Sequence, residues 1–446
     1  MHDVRAVRAP SMLRLAAASL VGTAIEIYDS IVYGTAAALI LGPLFFPTFS
    51  PLTGTLLAFA SAGIAFLARP LGSVVFGHIG DRRGRRPVLV ASLWLTGAAT
   101  VAVGCLPTYA TMGATAPVLL LVLRFVQGLG LGGEWSGAVL LTVEHAPARR
   151  RVLWSSFPQM GLALGFLLAN VVMLGLSATL SDAQFAAWGW RVPFWAAGVL
   201  TAVGLWLRGS LAESPHFLEI DHHARVPLLD VLRGHWRLVL LTAGSLAVGF
   251  AVAYTVTTWT LAYGTVRLGV SRTVILACVM AVVVVQGALT PLVAHLADRC
   301  ARRSLCLAGC TAVALWMFPM VALLSTGRPL LMFLGSLGAM LSLTPMFAVT
   351  AAYVPELYDA RVRCTGAALG YNLGGVVGGT LTPIITTTLA ERSSSTPWSI
   401  GVYLTAMALL SFGCFALLPE TRPPAAPSAG LPPAQAPLHS RRAAPS

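Results

Sequence analysis

The sequence contains no lysine: all 29 of its basic residues are arginine. Acids are scarcer, 16 in 446 residues, and charged residues of both signs make up only 10% of the chain. Length alone would suggest about two or three soluble domains, but so little charge argues against that. A formal net charge of +13 invites a nucleic-acid reading. The arginines form no stripe, however, and sit in short loops between apolar runs, so no nucleic-acid partner is expected. Cysteine is also sparse: seven residues, an odd count, with no C-x-x-C pair. That excludes a disulfide framework and a zinc site, and Cys300, Cys306 and Cys310 read as small apolar filling. No clustered His, Cys or acidic set is present, so neither a metal nor an embedded enzyme is expected. The pair His222 and His223 falls in a polar stretch and reads as solvated linker.

What the chain does have is hydrocarbon. Hydrophobic residues make up 57% of it and the mean hydropathy is +0.79. Apolar runs of about 20 residues are long enough for a helix to cross the ~30 Å core of a bilayer. Glycine and proline inside these runs suit membrane helices. Twelve spans are expected, at roughly 14–40, 53–77, 87–106, 116–143, 152–176, 192–208, 237–263, 272–296, 304–325, 329–355, 364–389 and 398–418. The basic-then-apolar start resembles a signal peptide, but eleven further runs follow and it reads as the first span. The expected organisation is an N-terminal segment 1–13, a six-helix unit 14–208, a polar linker 209–236, a second six-helix unit 237–418 and a disordered Pro/Ala-rich tail 419–446. The fold class is therefore all-α and polytopic, in lipid and as a monomer.

Arginine is unevenly divided between the two sides. Arg5, Arg8, Arg14, Arg82, Arg83, Arg85, Arg86, Arg149, Arg150, Arg151 and Arg208 fall on the side of the N-terminus, as do most of those in the second half. Only Arg191, Arg267, Arg272, Arg328 and Arg392 fall opposite. The positive-inside rule then places both termini in the cytoplasm.

The densest charge is "GHIGDRRGRR", residues 77–86. A weaker copy, "DRCARR", lies at 298–303 between the corresponding spans of the second half. A second match sits between spans four and five of each half: Glu144 with Arg149 and Arg151, against Glu356 with Arg361 and Arg363. Two matches in corresponding places indicate internal duplication. "GHIGDRRGRRPVLV" and "RFVQGLGLGG" resemble the signature loop and fourth-helix motif of the major facilitator superfamily. "GTAIEIYDSIVYG", "GGEWSGAVLLTVEHAPARRR" and "PELYDARVRCTGAALGY" are similar to its metabolite:proton symporter branch, whose members carry shikimate, 2-oxoglutarate, citrate, proline or betaine. The resemblance covers roughly residues 14–418. It departs from the branch at Ile27, where an aromatic is expected, and at Ser30, which replaces Phe.

The resemblance implies two pseudo-symmetric six-helix bundles around a central site, and a cytoplasmic latch. The latch candidates are Gly77, Asp81, Arg82, Gly84, Arg85, Arg86, Glu144 and Arg149 in the first half. Asp298, Arg299, Arg302, Arg303, Glu356, Arg361 and Arg363 are their counterparts. Asp81, at a helix end, suits hydrogen bonds from a neighbouring helix N-terminus or from Arg. The glycine run 128–133 follows no strand, so it reads as helix packing and not as a nucleotide loop.

Ionisable residues inside spans are functional candidates by default. Here Glu26, Asp29, Arg69, Arg124 and Glu134 all lie in the first half, which places proton coupling there. Depth along the helices, at ~1.5 Å per residue, pairs Arg69 with Glu134 and sets Arg124 nearest to Glu26 and Asp29. Candidate substrate contacts are Tyr28, Arg124, Gln127, Trp135 and Gln159, facing Tyr254, Trp259, Gln286, Tyr371 and Asn372. The expected function is proton-driven uptake of a small polar metabolite, an organic acid such as a hydroxylated carboxylate, without a cofactor. The rival is proton-coupled efflux of a drug or biosynthetic product. The fifth span, "SSFPQMGLALGFLLANVV", lacks the Gly-Pro pair usual in exporters, which favours uptake.

Overall fold

A computed structural model describes residues 12–209, 211–218, 227–391 and 396–421. The first eleven residues and everything after Thr421, including the tail expected to be disordered, lie outside the described residues, as do His222 and His223. Among the described residues all regular structure is helical, and twelve helices are long and apolar enough to cross a membrane. They are α1 (Met12–Phe45), α2 (Thr53–Arg83), α3 (Arg85–Cys105), α4 (Thr115–His145), α5 (Ala148–Thr179) and α6 (Gly189–Gly209), then α7 (Trp236–Val266), α8 (Arg272–Ala297), α9 (Arg302–Leu324), α10 (Pro329–Glu356), α11 (Arg363–Ala390) and α12 (Trp398–Leu417).

Within the first half α1 packs on α5, α2 on α4, and α3 on both α4 and α6. The second half repeats this, with α7 on α11, α8 on α10, and α9 on α10 and α12. The halves meet where α5 lies against α8 and α2 against α11. Glycine permits the tightest of these approaches: a Cβ at Gly128 of α4 would come within 2.2 Å of the Ala65 carbonyl of α2. In the second half, Gly378 of α11 is pressed as closely on the Ala247 carbonyl of α7. The glycine runs are packing faces, as the absence of a strand suggested.

Two local features differ from the expected spans. Helix α2 continues through His78 and Asp81 to Arg83 and stops only at Gly84, whose φ of 106° is open to glycine but strained for other residues. The charged motif is therefore the last turn of one helix and the first of the next. Secondly, α1, α7 and α11 each contain a π-helical turn, at Ala37–Leu41, Thr255–Trp259 and Val376–Thr380. Such insertions are frequent at functional sites.

Candidate functional site

The centre of the molecule, between the two halves, holds a cavity of about 150 Å³. Helices α1, α2 and α5 line one side, and α7, α8, α10 and α11 the other. Of the expected substrate contacts, Gln159, Tyr254, Gln286 and Tyr371 face it. So do Ile27 and Ser30, the two departures from the branch pattern.

The other expected contacts lie elsewhere. Trp135 stands behind the wall, its ring stacked on Tyr371 at 3.9 Å. Tyr28 is turned into the first half, where its hydroxyl donates to the Pro193 carbonyl at 3.0 Å. Trp259 is buried against Tyr263, ring centroids 4.6 Å apart. One π-helical turn beyond Tyr254, it does not line the cavity. Asn372 bridges the halves instead, donating to Ser73 Oγ at 2.8 Å and to the Gly132 carbonyl at 3.0 Å.

Away from the latch, three buried ion pairs occupy the first half, and only one of them is a pairing that depth predicted. Arg69 pairs with Glu26 at 3.3 Å, at the cavity wall. Glu134 pairs instead with Arg208 of α6, which sequence reading had placed as a topological arginine at the membrane edge. Depth measures one coordinate of three; Arg208 reaches back into the bundle through the space left by Gly22, where a Cβ would collide with its guanidinium. The Leu89 carbonyl and Ser92 complete that site.

The third pair, Asp29 with Arg124 at 3.7 Å, joins as expected, but away from the cavity. Asp29 Oδ1 accepts from Thr100 at 2.8 Å and from Gln127 at 2.9 Å. Arg124 donates to Gln127 at 2.6 Å and lies over the Tyr33 ring at 3.7 Å. Neither Arg124 nor Gln127 lines the cavity, so their expected role as substrate contacts is corrected: both belong to the Asp29 cluster. Asp29 Oδ2 and Arg124 Nε are buried with no hydrogen-bond partner. Glu26 and Asp29 thus diverge, Glu26 to the cavity and Asp29 to the bundle interior.

The arginine-rich end carries a latch with reciprocal geometry. Asp81 of α2 accepts from the backbone of Cys364 at 3.0 Å and of Thr365 at 2.9 Å, at the start of α11, and from the Thr365 hydroxyl at 2.7 Å. Its counterpart Asp298 accepts from Val152 at 2.9 Å and Leu153 at 3.2 Å, at the start of α5. In each case a carboxylate meets the exposed N–H groups of a helix start in the other half. Burial holds the Asp298 carboxyl above the usual carboxylate range, opposed by those two donors and by Arg302. Glu144 is bridged by Arg85 of its own half at 3.3 Å and Arg363 of the other at 3.4 Å. Glu356 is bridged likewise by Arg302 and, at 3.5 Å, by Arg151. Gly77 lets α2 close on Thr365, where a Cβ would sit 2.7 Å from its Cα.

Arg82, Arg149, Arg299 and Arg361 were expected in this latch, but their side chains are exposed. Sequence reading missed Glu213 and Glu420, which follow the sixth helix of each half. Glu213, read as part of a solvated linker, accepts from the backbone of Arg85 and Arg86. Glu420, read as the edge of a disordered tail, accepts from Arg302 and Arg303. Arg86 and Arg303 each donate to a carbonyl four residues before that glutamate, Gly209 and Ala416. The signal was a third repeat, Glu213-Ser214 against Glu420-Thr421, at equal offsets from those carbonyl residues.

This twofold-repeated latch around a central cavity agrees with the sequence comparisons. The pattern that defines the Major Facilitator Superfamily matches residues 19–367 and 267–444. The chain belongs to the major facilitator superfamily. Membership makes it a multi-pass membrane transporter and not an enzyme. It is 40% identical over 429 residues to the inner membrane metabolite transport protein YhjE of Escherichia coli, covering 94% of this chain and 97% of that one. It is 36% identical to the shikimate transporter of the same organism, covering 89% and 92%. The fold matches that of the proton:xylose symporter XylE bound to 6-bromo-6-deoxy-D-glucose with a TM-score of 0.76 and 18% identity, covering 92% of this chain and 96% of that one.

Proposed function

We propose that this facilitator is a proton-coupled uptake carrier for a small hydroxylated organic acid. It works in a bacterial inner membrane with both termini in the cytoplasm, driven by the proton gradient and needing no cofactor. The observation that carries the reading is Asp29. It is buried, one of its oxygens has no hydrogen-bond donor, and its ion pair with Arg124 is long at 3.7 Å. An ionised oxygen buried without a donor is unfavourable, and a proton at Oδ2 relieves that cost. Protonation also releases Arg124 from its charge partner, which changes the packing of α1 against α4. Because α1 lines the cavity through Glu26, Ile27 and Ser30, a change at Asp29 reaches the substrate site within one turn of helix. The names of the relatives support a small polar metabolite, and the fifth helix, with Pro158 and no Gly-Pro pair, supports uptake.

The test is transport by Asp29→Asn in proteoliposomes. An amide cannot cycle a proton, so accumulation driven by an inward proton gradient should be lost while substrate exchange without a gradient survives. Wild-type accumulation by Asp29→Asn would sink the assignment.

A further inference from the structure

We infer that Arg69 receives a carboxylate of the substrate, that Glu26 occupies its place in the unloaded protein, and that the substrate bears one carboxylate on an uncharged body. The inference rests on the carrier reading above. Apart from Arg85 in the latch, three arginines are buried within the first half, and their surroundings separate them. Arg208 is consumed by Glu134 and the Leu89 carbonyl. Arg124 is enclosed by Asp29, Gln127 and Tyr33. Arg69 alone faces the cavity, and among the described residues that line it Arg69 is the only cation and Glu26 the only anion.

Arg69 also has donors to spare. A guanidinium carries five N–H groups. Here Nη1 lies 3.3 Å from Glu26 Oε1, Cζ lies over the Phe66 ring at 4.6 Å from its centroid, and Nε is buried without a hydrogen-bond partner. The ring holds the guanidinium in place, and its spare N–H groups are left for an incoming carboxylate, which a guanidinium can hold bidentately. The rest of the lining offers neutral groups: the Gln159 amide on the same side, and on the opposite wall the Gln286 amide and the hydroxyls of Thr257 and Thr290. These match substrate hydroxyls. A second carboxylate would be buried there with no cation to meet it, which is unfavourable. Glu26 competes for the same fork, so removing its charge should favour the acid.

The test is equilibrium binding, with no gradient, to the full chain in lipid nanodiscs by calorimetry. Its probes are shikimate, quinate and lactate, each with its methyl ester, and citrate. The wild-type protein should bind at least one of the three acids about tenfold or more tightly than its ester and than citrate. Arg69→Gln should lose that preference by weakening the acid alone. Glu26→Gln, which keeps the arginine, should bind the acid more tightly and retain the preference; this arm decides the matter if Arg69→Gln does not fold. Asp29→Asn should keep the preference while losing gradient-driven accumulation, so failed recognition and failed coupling are read apart. Arg69→Gln that still prefers acid over ester, wild type without that preference, citrate bound as tightly as the acids, or Glu26→Gln that weakens the acid would each overturn the inference.

Discussion

Glu213 and Glu420 do the same work at the two ends of the duplicated chain. Each leaves the sixth helix of its half and turns back. Each places both carboxylate oxygens on the first two backbone N–H groups of the third helix, at 2.8 and 3.1 Å in one half and 3.0 and 3.0 Å in the other. Ser214 and Thr421, one residue on, reach Glu144 and Glu356 in the same way. The cap ties the segment after each bundle to the latch.

Removing either cap should cost stability by a similar amount. Glu213→Ala and Glu420→Ala should each lose about 1–2 kcal/mol, the range for a lost helix N-cap, seen as a lower Tm in detergent. A chain ending at Thr421 should keep wild-type Tm and transport, whereas one ending at Pro419, which keeps the acceptor for the Tyr353 hydroxyl, should lose at least as much as Glu420→Ala. Equal Tm for both truncations would show that Glu420 contributes nothing.

Opening the latch should expose Cys364. Its thiol is buried beside Gly80 and Ser136, and its backbone N–H is held by Asp81. In a variant retaining Cys364 as its only cysteine, Asp81→Ala should raise the rate of maleimide labelling at least about tenfold, equivalent to a shift of about 1.4 kcal/mol in the open population. An unchanged rate would mean that the remaining inter-half contacts hold the end closed without Asp81.

Glu134 and Arg208 should behave as a structural pair. Glu134→Gln strands a buried guanidinium and should destabilise the protein by about 3–5 kcal/mol. The double replacement Glu134→Leu with Arg208→Leu should recover most of that loss, because no unpaired charge remains. Thermal unfolding of the three proteins decides it: a double variant no better than the single one contradicts a purely structural role.

Arg124→Lys should change proton coupling and leave substrate choice intact. Lysine keeps the charge beside Asp29 but cannot reproduce the contacts to Gln127 and the Tyr33 ring. The dependence of uptake on external pH should therefore shift. The ratio of KM values for an acid and its ester should stay at the wild-type value, since Arg124 does not face the cavity. A changed ratio with an unchanged pH profile would reverse the roles of Arg124 and Arg69.

Sequence alone determined the membrane class, the twelve spans and the duplication, because these depend on properties that add along the chain. Hydropathy over about 20 residues sets whether a helix spans, and matching charged loops reveal a repeat wherever they fold. Asp81 and Asp298 were legible for the same reason, each being a charge that oil cannot hide. Which buried charge meets which was decided only by tertiary structure. Glu134 and Arg69 lie at similar depths, yet rotation about the helix axes and the gap at Gly22 send Glu134 to Arg208 and leave Arg69 to Glu26. Glu26 and Asp29, three residues and only about 60° apart around α1, still part company, one carboxylate in the cavity and the other sealed in the bundle. Glu213 and Glu420 looked like linker and tail because their partners are backbone N–H groups, which every sequence has and no sequence displays.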